Sequence, residues 1–147
     1  MSVLSRIEDA LFLWWDGRRE GALLSALVAV AATSRARFPD RTSIADGDAF
    51  EKFLVSAHPV RLSIEFRGSL HPIERIFFKW LRCELVHEGG LPVDVEFMPD
   101  AEPGTLVARA GGAPEFTLEI SEGWFYHLVG MVVSAPENAA LFTAWKA

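Results

Sequence analysis

Arg82 and His87 lie in the run Leu81-Arg82-Cys83-Glu84-Leu85-Val86-His87-Glu88-Gly89-Gly90. A guanidinium can hold a phosphate oxygen through two hydrogen bonds. An imidazole can move a proton near neutral pH. Side by side, the two can cut a phosphodiester without a metal. With 11 Arg and 4 His in the chain, an R-x4-H spacing arises by chance about 0.3 times. The weight therefore falls on its placement, at the end of a strongly apolar helical run just before the Gly89-Gly90 stop.

Each residue of this constellation has a structural reading beside the chemical one. His87 could be the general acid or base, or a cation suited to the last turn of a helix. Arg82 could neutralise charge on a transition-state phosphate, or pair with Glu74 or Glu84. Glu84, three residues before His87, could orient the imidazole, or pair with Arg82 or solvent. Steps of three and four put His71, Arg75, Lys79 and Arg82 along one side of a regular helix. Arg75 and Lys79 would then contact a phosphate backbone, or form a solvated face. Cys83 reads as an inert helix residue on the apolar face of Ile76 and Trp80. Five helical residues turn through about 140°. A shared Arg82–His87 site thus needs the helix to end or distort, or a second chain to supply one residue.

The elements that must position these residues follow from apolar periodicity and punctuation. Ser5-Arg6-Ile7-Glu8 reads as a capping box opening a first helix, which Asp16-Gly17 ends or kinks. A second helix is expected from Arg18 to about Arg37, apolar on a wide face and central in a bundle, stopped by Phe38-Pro39-Asp40. Asp46-Gly47-Asp48 leads into a short capped helix that His58-Pro59 closes. Residues 61–67 alternate as a strand does. Gly68 to Pro72 opens the helix that carries Arg82 and His87, with Pro at its first position. After Gly90, three short apolar or alternating runs between 93 and 120, separated by Pro-Asp, Pro-Gly and Gly-Gly, predict a small antiparallel meander to which residues 62–66 could add a strand. Ser121-Glu122 then caps a helix to about Val133, and Ala135-Pro136 starts a last short one ending near Trp145.

The long helical N-terminal part and the helix ending in Arg82 to Gly89 resemble the HEPN superfamily (higher eukaryotes and prokaryotes nucleotide-binding). Its catalytic members carry an Arg, four to six residues, then a His. The resemblance covers about residues 5–90, and only Arg82 and His87 carry over. It implies a mainly helical bundle, metal-independent endoribonuclease activity on RNA at Arg82 and His87, and a homodimer that brings two motifs together. It also implies an alternative, since many relatives are non-catalytic dimeric binding or regulatory modules. Cys83 and the acidity of the chain favour that alternative; the basic stripe favours the enzyme. A cognate inhibitor protein is conceivable in such a setting, but nothing in the sequence argues for one.

The whole chain bounds these readings. Its 147 residues suit one domain, with a helical bundle over about 5–90, a β-meander over about 91–120 and C-terminal helices over about 121–145. The expected class is α+β. A hydrophobic fraction of 50% allows a sizeable core, and 5 Trp with 11 Phe leave aromatics for a partner surface. A net charge of −6 excludes a general nucleic-acid coat, though not a small basic site. The single Cys83 excludes an intrachain disulfide. With no long apolar span and no signal-peptide layout, the expectation is a cytoplasmic protein without membrane contact. Without H-E-x-x-H, C-x-x-C, P-loop or G-x-G-x-x-G patterns, no metal or cofactor is expected.

Overall fold

The computed structural model describes residues 2–57, 62–92, 94–100, 106–111 and 117–146. The chain is an α+β protein dominated by helices. The N-terminal amides of helix α1 (Val3–Trp15) are capped from Ser2, whose hydroxyl accepts from the Ser5 N–H at 3.1 Å. The helix thus starts one turn earlier than the Ser5 box suggests, because a second serine three residues upstream takes the capping role. Helix α2 (Arg19–Arg37) ends at Phe38, before Pro39, as expected. Helix α3 (Asp46–Ala57) follows a loop over 38–45. The expected stop at His58-Pro59 lies outside the described residues.

Helix α2 is the hub of the bundle. It packs against α1 and α3, and against helix α6 described below. Its buried Ala22, Ala26 and Ala29 have little side chain to hold neighbours away, and Leu23, Leu27 and Val30 fill the space between. The polar Thr33 and Ser34 on the same helix are buried but satisfied: Thr33 donates to the Ala29 carbonyl and Ser34 to the Ala31 carbonyl. Asn138 donates to Thr33 Oγ1 and to the Val132 carbonyl, both at 2.9 Å, tying the C-terminal segment to α2.

Two strands precede the motif. Strands β1 (Ser63–Phe66) and β2 (Ser69–Pro72) form an antiparallel hairpin. Its two-residue turn, Arg67-Gly68, has φ of 53° and 84°. Positive φ at both positions matches the twist of a tight hairpin. Residues 69–72 therefore form a strand, not the opening of the next helix. That helix starts at Ile73 with Pro72 as its N-cap. The Arg67 side chain forks onto Asp94, at 2.8 and 2.9 Å, and pins the hairpin to the start of the second sheet.

One helical run then carries the motif. It begins as α4 (Ile73–Arg75), widens to a π-helix over Ile76–Arg82, and returns to α-geometry in α5 (Cys83–Glu88). Gly89, at φ 78°, terminates it in the left-handed conformation that its sequence position predicts.

The second sheet departs from a meander. Strands β3 (Val95–Met98), β4 (Ala108–Ala110) and β5 (Leu118–Ser121) lie in the order β3-β5-β4. β3 runs parallel to β5, with Val95 opposite Leu118, and β4 is antiparallel to β5. The most buried strand takes the centre: Leu118, Ile120 and Ser121 of β5 are buried, whereas Arg109 and Ala110 of β4 are exposed. The hairpin stays separate from this sheet, with β1 passing near β4. The turns expected within 101–105 and 112–116 lie outside the described residues.

Helix α6 (Gly123–Ser134) closes the core. Trp14 of α1 stacks on Phe125 of α6, with centroids 4.1 Å apart and planes within 2°, and Phe97 of β3 meets Trp14 edge-on. The last expected helix is instead two 3₁₀ turns, Pro136–Asn138 and Thr143–Lys146. Buried side chains from every layer, from Ile7 to Phe142, join one apolar cluster. Among the described residues no helix is long and apolar enough to cross a membrane.

Candidate functional site: an arginine-lined pocket

The π-helical segment decides where Arg82 goes. A π turn inserts an extra residue into the helical repeat, so side chains beyond it are rotated from their α-helical positions; such segments recur at functional sites. The Cys83 thiol donates to the carbonyl of Phe78, five residues back, at 3.3 Å. The basic stripe read from regular helical steps is broken up. His71 sits in β2, against Trp80. Arg75 is exposed and paired with Glu51 at 3.0 Å. Lys79 is exposed, with Nζ 4.9 Å from the Trp80 ring centre.

Arg82 turns inward. It lines a cavity of about 250 Å³ between α2, the loop after it, the start of α3 and the π-helix. Part of the lining is apolar, from Val28, Ala31, Ala32 and Phe78. The remainder is polar, from Ser34, Arg35, Arg41, Asp46 and Arg82.

The three guanidiniums differ in what they hold. Each nitrogen of Arg35 is engaged: Nε donates to Asp46 at 2.6 Å, and its terminal nitrogens donate to the carbonyls of Phe38 and Ile44 at 2.7 and 2.6 Å. It shapes the loop that carries Arg41 into the wall. Arg41 is exposed and makes no ion pair with a carboxylate among the described residues. Arg82 is half-buried, and its Nε is buried without a hydrogen-bond acceptor. No nitrogen of Arg82 meets a protein acceptor among the described residues. Its guanidinium lies 5.2 Å from the centre of the Phe78 ring. Asp46 is the only acid in the wall among the described residues, and the Arg35 hydrogen bond, with the nearby charges of Arg41 and Arg82, holds its carboxyl below the usual carboxylate range.

Phe78 is placed by Gly47. A Cβ at Gly47 would stand 2.9 Å from the Phe78 ring, which also packs on Phe50 with centroids 5.3 Å apart. Gly47→Ala is expected to cost about 1–2 kcal/mol by overpacking and to shift Phe78 and with it Arg82. A stability unchanged in urea melts would contradict this.

The other expected site residues lie apart. His87 is exposed in the last turn of α5 and is not part of the pocket wall. Glu84 is half-buried and pairs with neither Arg82 nor His87; its charge acts on Arg67. Within one chain, therefore, the wall gathers Arg82 with Arg35 and Arg41, and leaves out His87, Glu84, Arg75 and Lys79. Arg35 and Arg41 are the residues that motif reading missed. Their signal in the sequence is the cluster Arg35-x-Arg37-x3-Arg41 at the end of α2, which reads equally well as cations at a helix C-terminus. Among the described residues, no group of three or more His, Cys, Asp or Glu is arranged to hold a metal ion. A second concavity, formed by Leu11, Phe12, Trp15 and Trp145 with Glu8, is nearly all apolar and offers no comparable chemistry.

Three carboxylates share one pattern. Asp46, Asp94 and Glu137 are each held below the ordinary range, first by a hydrogen bond from Arg35, Arg67 and Arg37 respectively. A depressed folded-state pKa stabilises above the unfolded value and loses that stability as pH falls through the folded value. Unfolding free energy is thus expected to hold steady from pH 7 to about 5 and to drop below about pH 4. Urea melts across that range check this; a rise in stability on acidification would contradict it.

One family model, Rv1289, matches residues 2–143. No curated protein and no solved structure matches the chain.

Proposed function

The chain belongs to the Rv1289 family, and from that premise we propose that it is a non-catalytic binding or regulatory module whose ligand is a compact anion such as a phosphate group. The observation that supports this is the state of Arg82 and Arg41: two guanidiniums on one cavity, neither paired with a carboxylate among the described residues. Arginines inside proteins ordinarily find carboxylates or carbonyls, because a buried donor left without an acceptor costs about 1–3 kcal/mol. A guanidinium fork suits the planar or tetrahedral oxygens of an anion. Arg35 and Asp46 would hold the loop and the start of α3 in place around it. Thermal unfolding in rising inorganic phosphate, at constant ionic strength set with chloride, tests the reading. A ligand that binds only the folded state raises its stability. The wild type should melt higher as phosphate rises, and Arg82→Gln should not. Equal responses would contradict the proposal.

A second reading keeps the HEPN resemblance and its metal-independent endoribonuclease chemistry on RNA. It is favoured by the exposure of His87 together with its neighbour Val86, 52% exposed, on the same helix. That surface could meet a second copy and bring His87 of one chain to Arg82 of the other. His87 would move the proton as a ribose 2′-OH attacks phosphorus, and Arg82 would steady the charge. This site would be composite. Arg82→Ala and His87→Ala proteins, each inactive on RNA in EDTA, should then recover cleavage when mixed. The non-catalytic reading expects no cleavage by the wild type, and so none in the mixture. A monomer by sedimentation at tens of micromolar would remove the composite site.

A further inference from the structure

Resting on the anion-binding reading, we propose that the pocket ligand is a small phosphomonoester, bound as its dianion and carrying an apolar or aromatic group. Charge is the first ground. The wall holds Arg35, Arg41 and Arg82 against Asp46, which is three positive charges less one negative, or +2. A monoester dianion neutralises that sum. A phosphodiester carries a single charge and leaves one guanidinium uncompensated. A polyanion would also have to approach a chain of net charge −6.

Size is the second ground. The cavity of about 250 Å³ lies below the roughly 300–1,000 Å³ that encloses drug-sized ligands. It suits a phosphate with one ring or short chain, and is small for a strand of nucleic acid. The wall is the third. Val28, Ala31, Ala32 and Phe78 line the same cavity as the arginines. Inorganic phosphate would leave that surface wet, whereas an apolar substituent would cover it.

The roles divide accordingly. Arg82, whose nitrogens hold no protein acceptor among the described residues, would take two phosphate oxygens. Arg41, on the rim, would take the third. Arg35 is a positioning residue, spent on Asp46 and two carbonyls.

Calorimetric titration of the full chain with phenyl phosphate, inorganic phosphate, dimethyl phosphate and an RNA oligonucleotide with hydroxyl ends tests this. At pH 7.5 phenyl phosphate should bind about tenfold more tightly than inorganic phosphate, from the added apolar burial. Dimethyl phosphate and the oligonucleotide should bind at least about tenfold more weakly than phenyl phosphate, having only singly charged phosphates. Lowering the pH to 5.5 should weaken phenyl phosphate, since a phosphomonoester gains a proton near pH 6. Asp46, whose carboxyl the Arg35 hydrogen bond holds below the usual carboxylate range, stays ionised over that interval. Arg82→Gln should weaken binding at least about tenfold. The exposed Arg41→Gln should weaken it less, with an unchanged circular-dichroism spectrum, and serves if the Arg82 variant does not fold. If dimethyl phosphate or RNA binds as tightly as phenyl phosphate and depends on Arg82, the monoester assignment is overturned while the anion reading stands. If no anion binds, or both variants bind like wild type, both fall.

Discussion

Replacing Phe125 with alanine should lower the unfolding free energy by about 3–5 kcal/mol, the range for removing a large buried aromatic. Phe125 is fully buried in α6. It stacks flat on Trp14 at 4.1 Å and meets Tyr126 edge-on at 5.4 Å. Trp14 in turn holds Phe97 of β3 and lies under the Arg19 guanidinium, 3.8 Å from the ring centre. Removing the Phe125 ring therefore opens a cavity where α1, α6 and the second sheet meet. Against a typical total of about 5–15 kcal/mol, such a loss is a large fraction. Urea denaturation gives the number directly. A loss below about 1 kcal/mol would mean that this aromatic stack does not hold the layers together.

Arg82→Gln should weaken anion binding about 10- to 100-fold, as expected when a bidentate, charge-assisted pair worth about 1.5–3 kcal/mol is lost. The fold should tolerate the change, because Arg82 holds no carboxylate among the described residues, and glutamine keeps much of the stem that packs near Phe78. Arg35→Gln makes a poorer test. It would release Asp46 and the carbonyls of Phe38 and Ile44 together, so lost binding would report a collapsed loop. Comparing the two separates a ligand contact from a positioning residue: both should lose affinity, and only Arg35→Gln should also lower the melting temperature substantially. Equal affinities for wild type and Arg82→Gln would remove Arg82 from the site.

Much of the helical frame is legible in the sequence because its signals are local. Phe38-Pro39 ends α2 and Gly89 ends α5, each at the residue whose backbone preference demands it. The α+β class follows from such local signals as well. Where two local signals competed, the outcome shifted: Ser2, rather than Ser5, caps α1. The hairpin turn at Arg67-Gly68 places an arginine at φ 53°, a position that asparagine or glycine usually marks, so the turn carried only half its signal. The order β3-β5-β4 depends on which strand is most easily buried after the chain has returned, and no local rule encodes that.

The site was less legible than the fold. Ile76 to Arg82 reads as a regular amphipathic helix, and its apolar pattern cannot show the π-helical widening that turns Arg82 toward α2. Sequence reading singled out Arg82 for its ability to hold phosphate, and it coupled Arg82 to His87 by proximity along the chain. Within one chain the cavity brings it together with Arg35 and Arg41, 47 and 41 residues earlier, from a helix end and a loop. Such a juxtaposition is a tertiary fact: each arginine alone is an unremarkable surface cation, and only the packing of the π-helix against α2 makes them one wall.

The central claim is that Arg82 and Arg41 share one anion, and a tungstate-soaked crystal tests it most directly. Tungstate is a tetrahedral dianion with a strong anomalous signal. The account predicts an anomalous peak inside the cavity, within hydrogen-bond distance of both guanidiniums, and no such peak in crystals of Arg82→Gln. Tungstate bound only elsewhere on the surface, or a peak in the cavity that persists unchanged in Arg82→Gln, would contradict it.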